Sequence, residues 1–218
     1  MSNYFSKVPN LDYVSRLPDA NISDYIPVKN LFKKGGLRED IFQDLTVFTK
    51  YQVEGDDRPD NVAFKVYGES NLDWLVLAAN NIINIQTEWP MTQYNFDQYL
   101  LDKYGTYDKI NDTHHYETIE IKDSTGVAIL KGGLNVPSDF NFKYQDNSTA
   151  YSTNPVKEVT NLDYENDIQT ERRNIWVLKG RYLNIALDDL EVIMTYKKGS
   201  SQYVTESMKR GDNIRLFQ

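Results

Sequence analysis

One stretch fixes more of the fold than the rest of the chain: YQVEGDDRPDNVAFKVYGESNLDWLVLAANN, Tyr51 to Asn81. Leading into it, Val47, Thr49, Tyr51 and Val53 occupy alternate positions. That is the period of a half-buried strand, expected from about Thr46 to Val53. Pro59 suits the first turn of a helix, where no amide is needed. Asp56 and Asp57 precede it, at the positive end of the helix dipole. Val62, Ala63, Val66 and Tyr67 form one helical face, and Gly68 supplies the stop. Ser70, with Asp73 three residues on, predicts a second helix start by a capping box. Leu72, Leu75, Val76 and Ala79 share one face of that helix. Trp74, Leu77 and Ala78 cover most of the rest, so it should be buried on nearly all sides. Asn80 and Asn81 can end it in a left-handed conformation.

No other segment is so tightly specified. Residues 1–45 read as an extended N-terminal arm. Pro9, Pro18 and Pro27 break any long helix, and aromatic anchors such as Tyr13 and Tyr25 recur between them. Such an arm lies across its own body or across a partner. After Asn81, "TQYNFDQYLLDKYG" predicts a helix from near Thr92 to just before Gly105, with Phe96, Tyr99, Leu100 and Tyr104 inside. Residues 106–136 switch to period two around "DSTG" and predict a β-hairpin. Residues 137–160 are polar and irregular and read as a linker or surface loop. In 161–198, Asn161 can cap a helix that ends in Arg172 and Arg173, as the dipole favours. "NIWVL" is a strand or buried turn. Leu183, Leu187, Leu190 and Met194 then stripe a last helix, and 199–218 is a tail. Taken together this is an α+β chain of one large domain or two small ones.

Composition removes several functions. The net charge of −8 disfavours sequence-independent nucleic-acid binding, which needs clustered Lys and Arg. There is no cysteine for a disulfide, a thiolate metal site or a nucleophile. The chain starts with no basic and apolar leader pattern, and no apolar run approaches a bilayer span. His114 and His115 are adjacent in a probable strand, so they are expected to point to opposite faces and not to share a metal. No catalytic motif is present. No catalytic residue, metal ligand or cofactor is expected. Hydrophobic residues make up only 40% and tyrosines number 16. Tyrosine suits interfaces and half-wet cores equally.

The strand–helix–helix order, the acidic turn and the trailing Asn resemble LysM, a βααβ module that binds N-acetylglucosamine polymers. The resemblance is partial: "GDDRP" stands where LysM has "GDT", and "IINIQTEWP" stands where the second strand is due. A closer resemblance is to the LysM-like baseplate wedge proteins of contractile-tailed bacteriophages. It is carried by Arg58-Pro59, Tyr67-Gly68, Leu72, Trp74 and Asn80, by "WP" and the helix ending "KYG", and by "ENDIQTERRNIWVL" and "DLEVIM".

That resemblance implies a small LysM-like βαα core within 46–105. It implies a non-catalytic structural role: clamping wedge subunits near the hub, in symmetric repeats around the tail axis. The implied partners are other wedge, sheath-initiator and hub proteins, with no nucleic acid and no membrane. The implied location is the virion tail baseplate after synthesis in the host cytoplasm. The expected partner contacts are Tyr13, Tyr25, Arg172, Arg173 and Trp176. Helix-dipole compensation is the other reading of the two arginines, and core packing that of the tryptophan. A LysM-type peptidoglycan module is the alternative function. It would read glycan through the loops carrying Asp56, Asp57, Arg58, Pro59, Asn80 and Asn81.

Overall fold

The computed structural model describes residues 3–15, 17–21, 24–146 and 149–211. The chain forms two compact units, residues 1–89 with 174–218, and residues 90–173. Of the tail at 199–218, residues 212–218 lie outside the described residues.

The first unit opens with a short helix α1 (Tyr4–Lys7), whose cap Asn3 accepts from the Ser6 amide. Strands β1 (Asn10–Val14) and β2 (Tyr25–Lys29) follow and pair antiparallel. The arm is therefore a hairpin rather than a single extended strand. Pro27 fits because β2 is an edge strand. The flanking bonds Ser15 N–H to Asp24 O and Asn30 N–H to Pro9 O set the register. They put the Pro27 nitrogen on the side away from β1.

A short α2 (Glu39–Gln43) leads to β3 (Phe48–Gln52). Then α3 (Pro59–Tyr67) begins on Pro59 and stops at Gly68, whose φ of 76° is the left-handed conformation that glycine adopts at no steric cost. The next helix starts late. Ser70–Leu72 is a 3-10 turn, and α4 is Asp73–Ala79. The expected capping box does not form, because the Asp73 carboxylate instead accepts from the adjacent Trp74 amide at 2.8 Å. Leu72, Leu75, Val76 and Ala79 are buried, with Trp74, Leu77 and Ala78 half-buried around them. Of the two asparagines, only Asn81 is left-handed, with φ 53°. A one-turn α5 (Ile85–Glu88) ends at Trp89.

The second unit carries α6 (Gln93–Tyr104), capped by the Thr92 hydroxyl and ended at Gly105 as its sequence predicts. A short α7 (Tyr107–Ile110) follows. Phe96, Leu100 and Ile110 make the unit's small core with Leu162. Strand β4 (Thr113–Thr118) comes next, then the hairpin β5 (Ile121–Lys122) and β6 (Ala128–Leu130) around the DSTG turn, and β7 (Asn135–Val136). Residues 137–160 are not an irregular loop. They hold β8 (Phe142–Asp146) paired with β9 (Thr149–Thr153), and β10 (Val156–Thr160). The hairpin is held by stacked aromatics, Phe142 on Tyr144 and Tyr144 on Tyr151, with centroids 5.9 and 5.1 Å apart. Short period-two runs inside polar sequence conceal such strands. Strand β4 lies between β10 and β7.

Helix α8 (Asn161–Arg173) is capped by Thr160, one residue before the expected Asn161. The Thr160 hydroxyl accepts from the Asp163 amide, and the Asp163 carboxylate accepts from the Thr160 amide and hydroxyl. These bonds, the Thr160 hydroxyl first, hold the Asp163 carboxyl below its ordinary range.

The chain then returns to the first unit. Strand β11 (Asn174–Leu178) pairs antiparallel with β3, and α9 (Leu183–Met194) follows. One core gathers Val53, Val62, Ala63, Leu72, Val76, Trp89, Ile175 and Val177, and a neighbouring one Val47, Phe48, Leu75, Ala79, Leu178 and Ala186. Last come β12 (Tyr203–Thr205) and β13 (Met208–Arg210), and β13 pairs in parallel with β1. Arm and tail, separate segments in the sequence reading, share one four-stranded sheet in the order β12-β13-β1-β2.

Candidate interaction surfaces

The two arm tyrosines point to opposite faces of that sheet. Tyr13 is paired with Ile26 and is exposed. Tyr25 is paired with Val14, one position out of phase, and stacks under the Arg210 guanidinium at 4.8 Å. Arg172 and Arg173 are half-buried at the end of α8 in the second unit, while Trp176 lies in β11 of the first. The two arginines thus belong to the second unit and the tryptophan to the first. Trp176 is half-buried against the core of Val47, Phe48, Leu75 and Leu178, with the Lys50 ammonium 5.5 Å from its ring centre.

The loop residues expected to read glycan are largely engaged inside the protein. The Asp57 carboxylate receives Lys65 at 2.5 Å, and its backbone carbonyl accepts the Trp89 indole N–H at 2.9 Å. Arg58 is exposed and pairs with Asp60 at 3.4 Å. Pro59 is buried, whereas Asp56 and Asn81 are exposed.

Asn80 has a structural task that its sequence position does not announce. The β3–β11 register leaves the backbone of Trp176 facing away from β3. The Asn80 side chain satisfies both of its groups, accepting from Trp176 N–H at 2.7 Å and donating to Trp176 O at 2.8 Å. It also donates to Val76 O at 2.8 Å. One carboxamide thus stands in for a third strand and ties α4 to β11. Asn80→Ala is expected to cost about 3 kcal/mol, about 1 kcal/mol for each of three lost bonds. Asn80→Asp should be no milder, since a carboxylate cannot donate to either carbonyl. Hydrogen exchange at the Trp176 amide is the measurement, and unchanged protection would refute this role.

The two histidines do meet. Their Nδ1 atoms are 2.8 Å apart, His115 Nε2 lies 3.0 Å from Glu117, and His114 stacks on Tyr164 at 4.1 Å. The cause is a register shift in which Thr113 and His115 oppose the consecutive residues Thr160 and Val159. His114 is the extra residue of this bulge, which re-aims its side chain. Among the described residues, no group of three or more His, Asp or Glu is placed to hold a metal ion. Nor is any helix long and apolar enough to cross a membrane.

Several large apolar side chains lie outside the small cores. Phe5, Leu31, Phe32, Leu45, Phe64 and Ile83 are exposed in the first unit, and Tyr94, Tyr107 and Val127 in the second. The model of the base plate wedge protein 53 family matches residues 4–125, and the chain belongs to that family. It is a structural component of the phage tail baseplate, not an enzyme, and other baseplate proteins are its partners. No curated protein matches the chain in direct sequence comparison.

Proposed function

We propose that this chain is a wedge clamp. It completes each baseplate wedge near the hub and locks neighbouring wedges into a ring, in symmetric copies that touch wedge, hub and sheath-initiator proteins. The observation that carries the reading is the balance of apolar surface. Among the described residues, about as many large apolar side chains are exposed as are buried, and they occur on both units. A free monomer has no use for so much exposed apolar area, whereas a subunit enclosed by neighbours buries it on assembly.

We further propose that β3, α3, α4 and β11 form a LysM-like core whose second strand has been displaced by the insertion of residues 90–173. The strand–helix–helix–strand order and the antiparallel β3–β11 pair support this. Glycan binding finds less support, because Asp57 and Asn80 spend their polar groups on Lys65, Trp89, Val76 and Trp176. The purified chain is therefore expected to stay in the supernatant when mixed with peptidoglycan sacculi. Cosedimentation abolished by soluble chitin oligomers would reinstate the alternative.

The direct test is a phage lacking this chain. Its wedges should accumulate without closing into rings, as read by sedimentation and negative-stain microscopy, and added chain should restore closure. Rings that close equally well without it would overturn the clamp.

A further inference from the structure

The sheet shared by arm and tail has one face that its own strands leave partly open. Register places Leu11 opposite Val28 and Tyr13 opposite Ile26, so these four side chains share a face. Tyr13, Ile26 and Val28 are 42%, 44% and 40% exposed. Lys209 on β13 stands in the same row as Leu11 and Val28.

A concentration of positive charge borders this face. The Lys33 and Lys209 ammonium groups lie over the same Tyr196 ring, 4.7 and 5.1 Å from its centre. Among the described residues, neither has a carboxylate within ion-pairing distance. Burial, and then repulsion from Lys209 and Lys197, lowers the Lys33 pKa from its ordinary value. Lys33 is held by a neutral acceptor, donating to the Thr195 carbonyl at 2.6 Å.

The edge beside this face is closed to strand addition. Pro27 sits at the middle of β2's outer side, where it offers no amide to an incoming strand. Docking must therefore use the face.

We propose that the face carrying Leu11, Tyr13, Ile26 and Val28 docks an apolar segment with acidic residues from a neighbouring baseplate protein, whose carboxylates meet Lys33 and Lys209. This deepens the clamp reading and rests on it. Charge complementarity selects the occupant: an apolar partner without acids would leave the lysines uncompensated, and a second copy of this face would bring lysines against lysines.

The test uses the full chain and purified wedges from a phage that lacks it. Ile26→Thr with Val28→Thr keeps β-branched strand formers while removing apolar contact. Lys33→Glu with Lys209→Glu reverses the border. Asn61→Ser, at an exposed polar site on α3, is the control. Wild type and control are expected to bind alike, and both double variants at least about tenfold more weakly, the charge reversal losing most at low salt. Wild-type binding with undiminished double variants overturns the face alone. A wild-type chain that does not bind wedges overturns the clamp and the face together. Should the double variants not fold, a benzoyl-phenylalanine at position 28 decides. Cross-links to Asp- or Glu-bearing peptides of another baseplate protein are expected, and cross-links only between copies of this chain refute the proposal.

Discussion

Trp89→Ala is expected to destabilise the first unit by about 3–5 kcal/mol, the range for removing a buried large aromatic from a core. Trp89 is only 5% exposed and packs in one cluster with Val53, Val62, Leu72, Val76, Ile175 and Val177. That cluster joins both strands of the β3–β11 pair to helix α3 and the turn before α4. The ring therefore belongs to the cluster that unites these elements, and removing it leaves a void in that shared core. Its indole N–H adds a second contribution, the bond to Asp57 O that holds the β3–α3 loop. Trp89→Phe separates the two. It keeps most of the packing and loses the bond, so it should cost much less than the alanine substitution. The two units need not unfold together, which makes a single global midpoint ambiguous. Hydrogen exchange of peptides spanning Val53–Tyr67 reports on this unit directly. Protection there unchanged by Trp89→Ala would show that the ring is not a keystone.

Trp89 also belongs to a core whose segments no local sequence pattern connects. Helices α3, α4, α6 and α9 and strand β3 were legible because each carries its own period and punctuation: Pro59 and Gly68, Thr92 and Gly105, the Leu187–Leu190–Met194 stripe. Pairings between distant segments carry no such signal. "NIWVL" reads as strand-like from its five residues, but nothing in them names β3 as the partner. The parallel pairing of β13 with β1 is equally silent, so arm and tail look unrelated until they share a sheet. Asn80 was readable as a helix stop, but its bonds to Trp176 require knowing where β11 lies. The expected loop at 137–160 failed for a different reason. Its strands are short, as where Phe142 and Tyr144 alternate with Lys143 and Gln145, and they are set in polar sequence, so the alternation spans too few residues to stand out.

The second unit offers the other large effect. Lys103→Ala is expected to destabilise it by about 3–5 kcal/mol, the cost of breaking a buried ion pair from one side. Glu165 is 2% exposed, and its Oε1 accepts from the Lys103 ammonium and, at 3.0 Å, from the Tyr104 hydroxyl. Lys103 itself is half in solvent, so its own removal exposes little. The penalty comes from the carboxylate left behind with one neutral donor. Hydrogen bonding to Glu165 is the first cause that raises the Lys103 pKa. A lysine raised on folding contributes stability that is present below its unfolded pKa and is lost as pH rises through the folded value. The contribution of the lysine's titration should therefore be constant near neutrality and be lost in strong alkali. Lys103→Met with Glu165→Met replaces both charges by apolar groups and should recover most of the loss, since a paired buried charge is worth little more than good packing. Urea unfolding followed by exchange within 93–104 and 161–173 gives all three energies. If the double variant were as unstable as Lys103→Ala, the cost would lie in packing lost with the lysine stem, and the stranded carboxylate would not be its source.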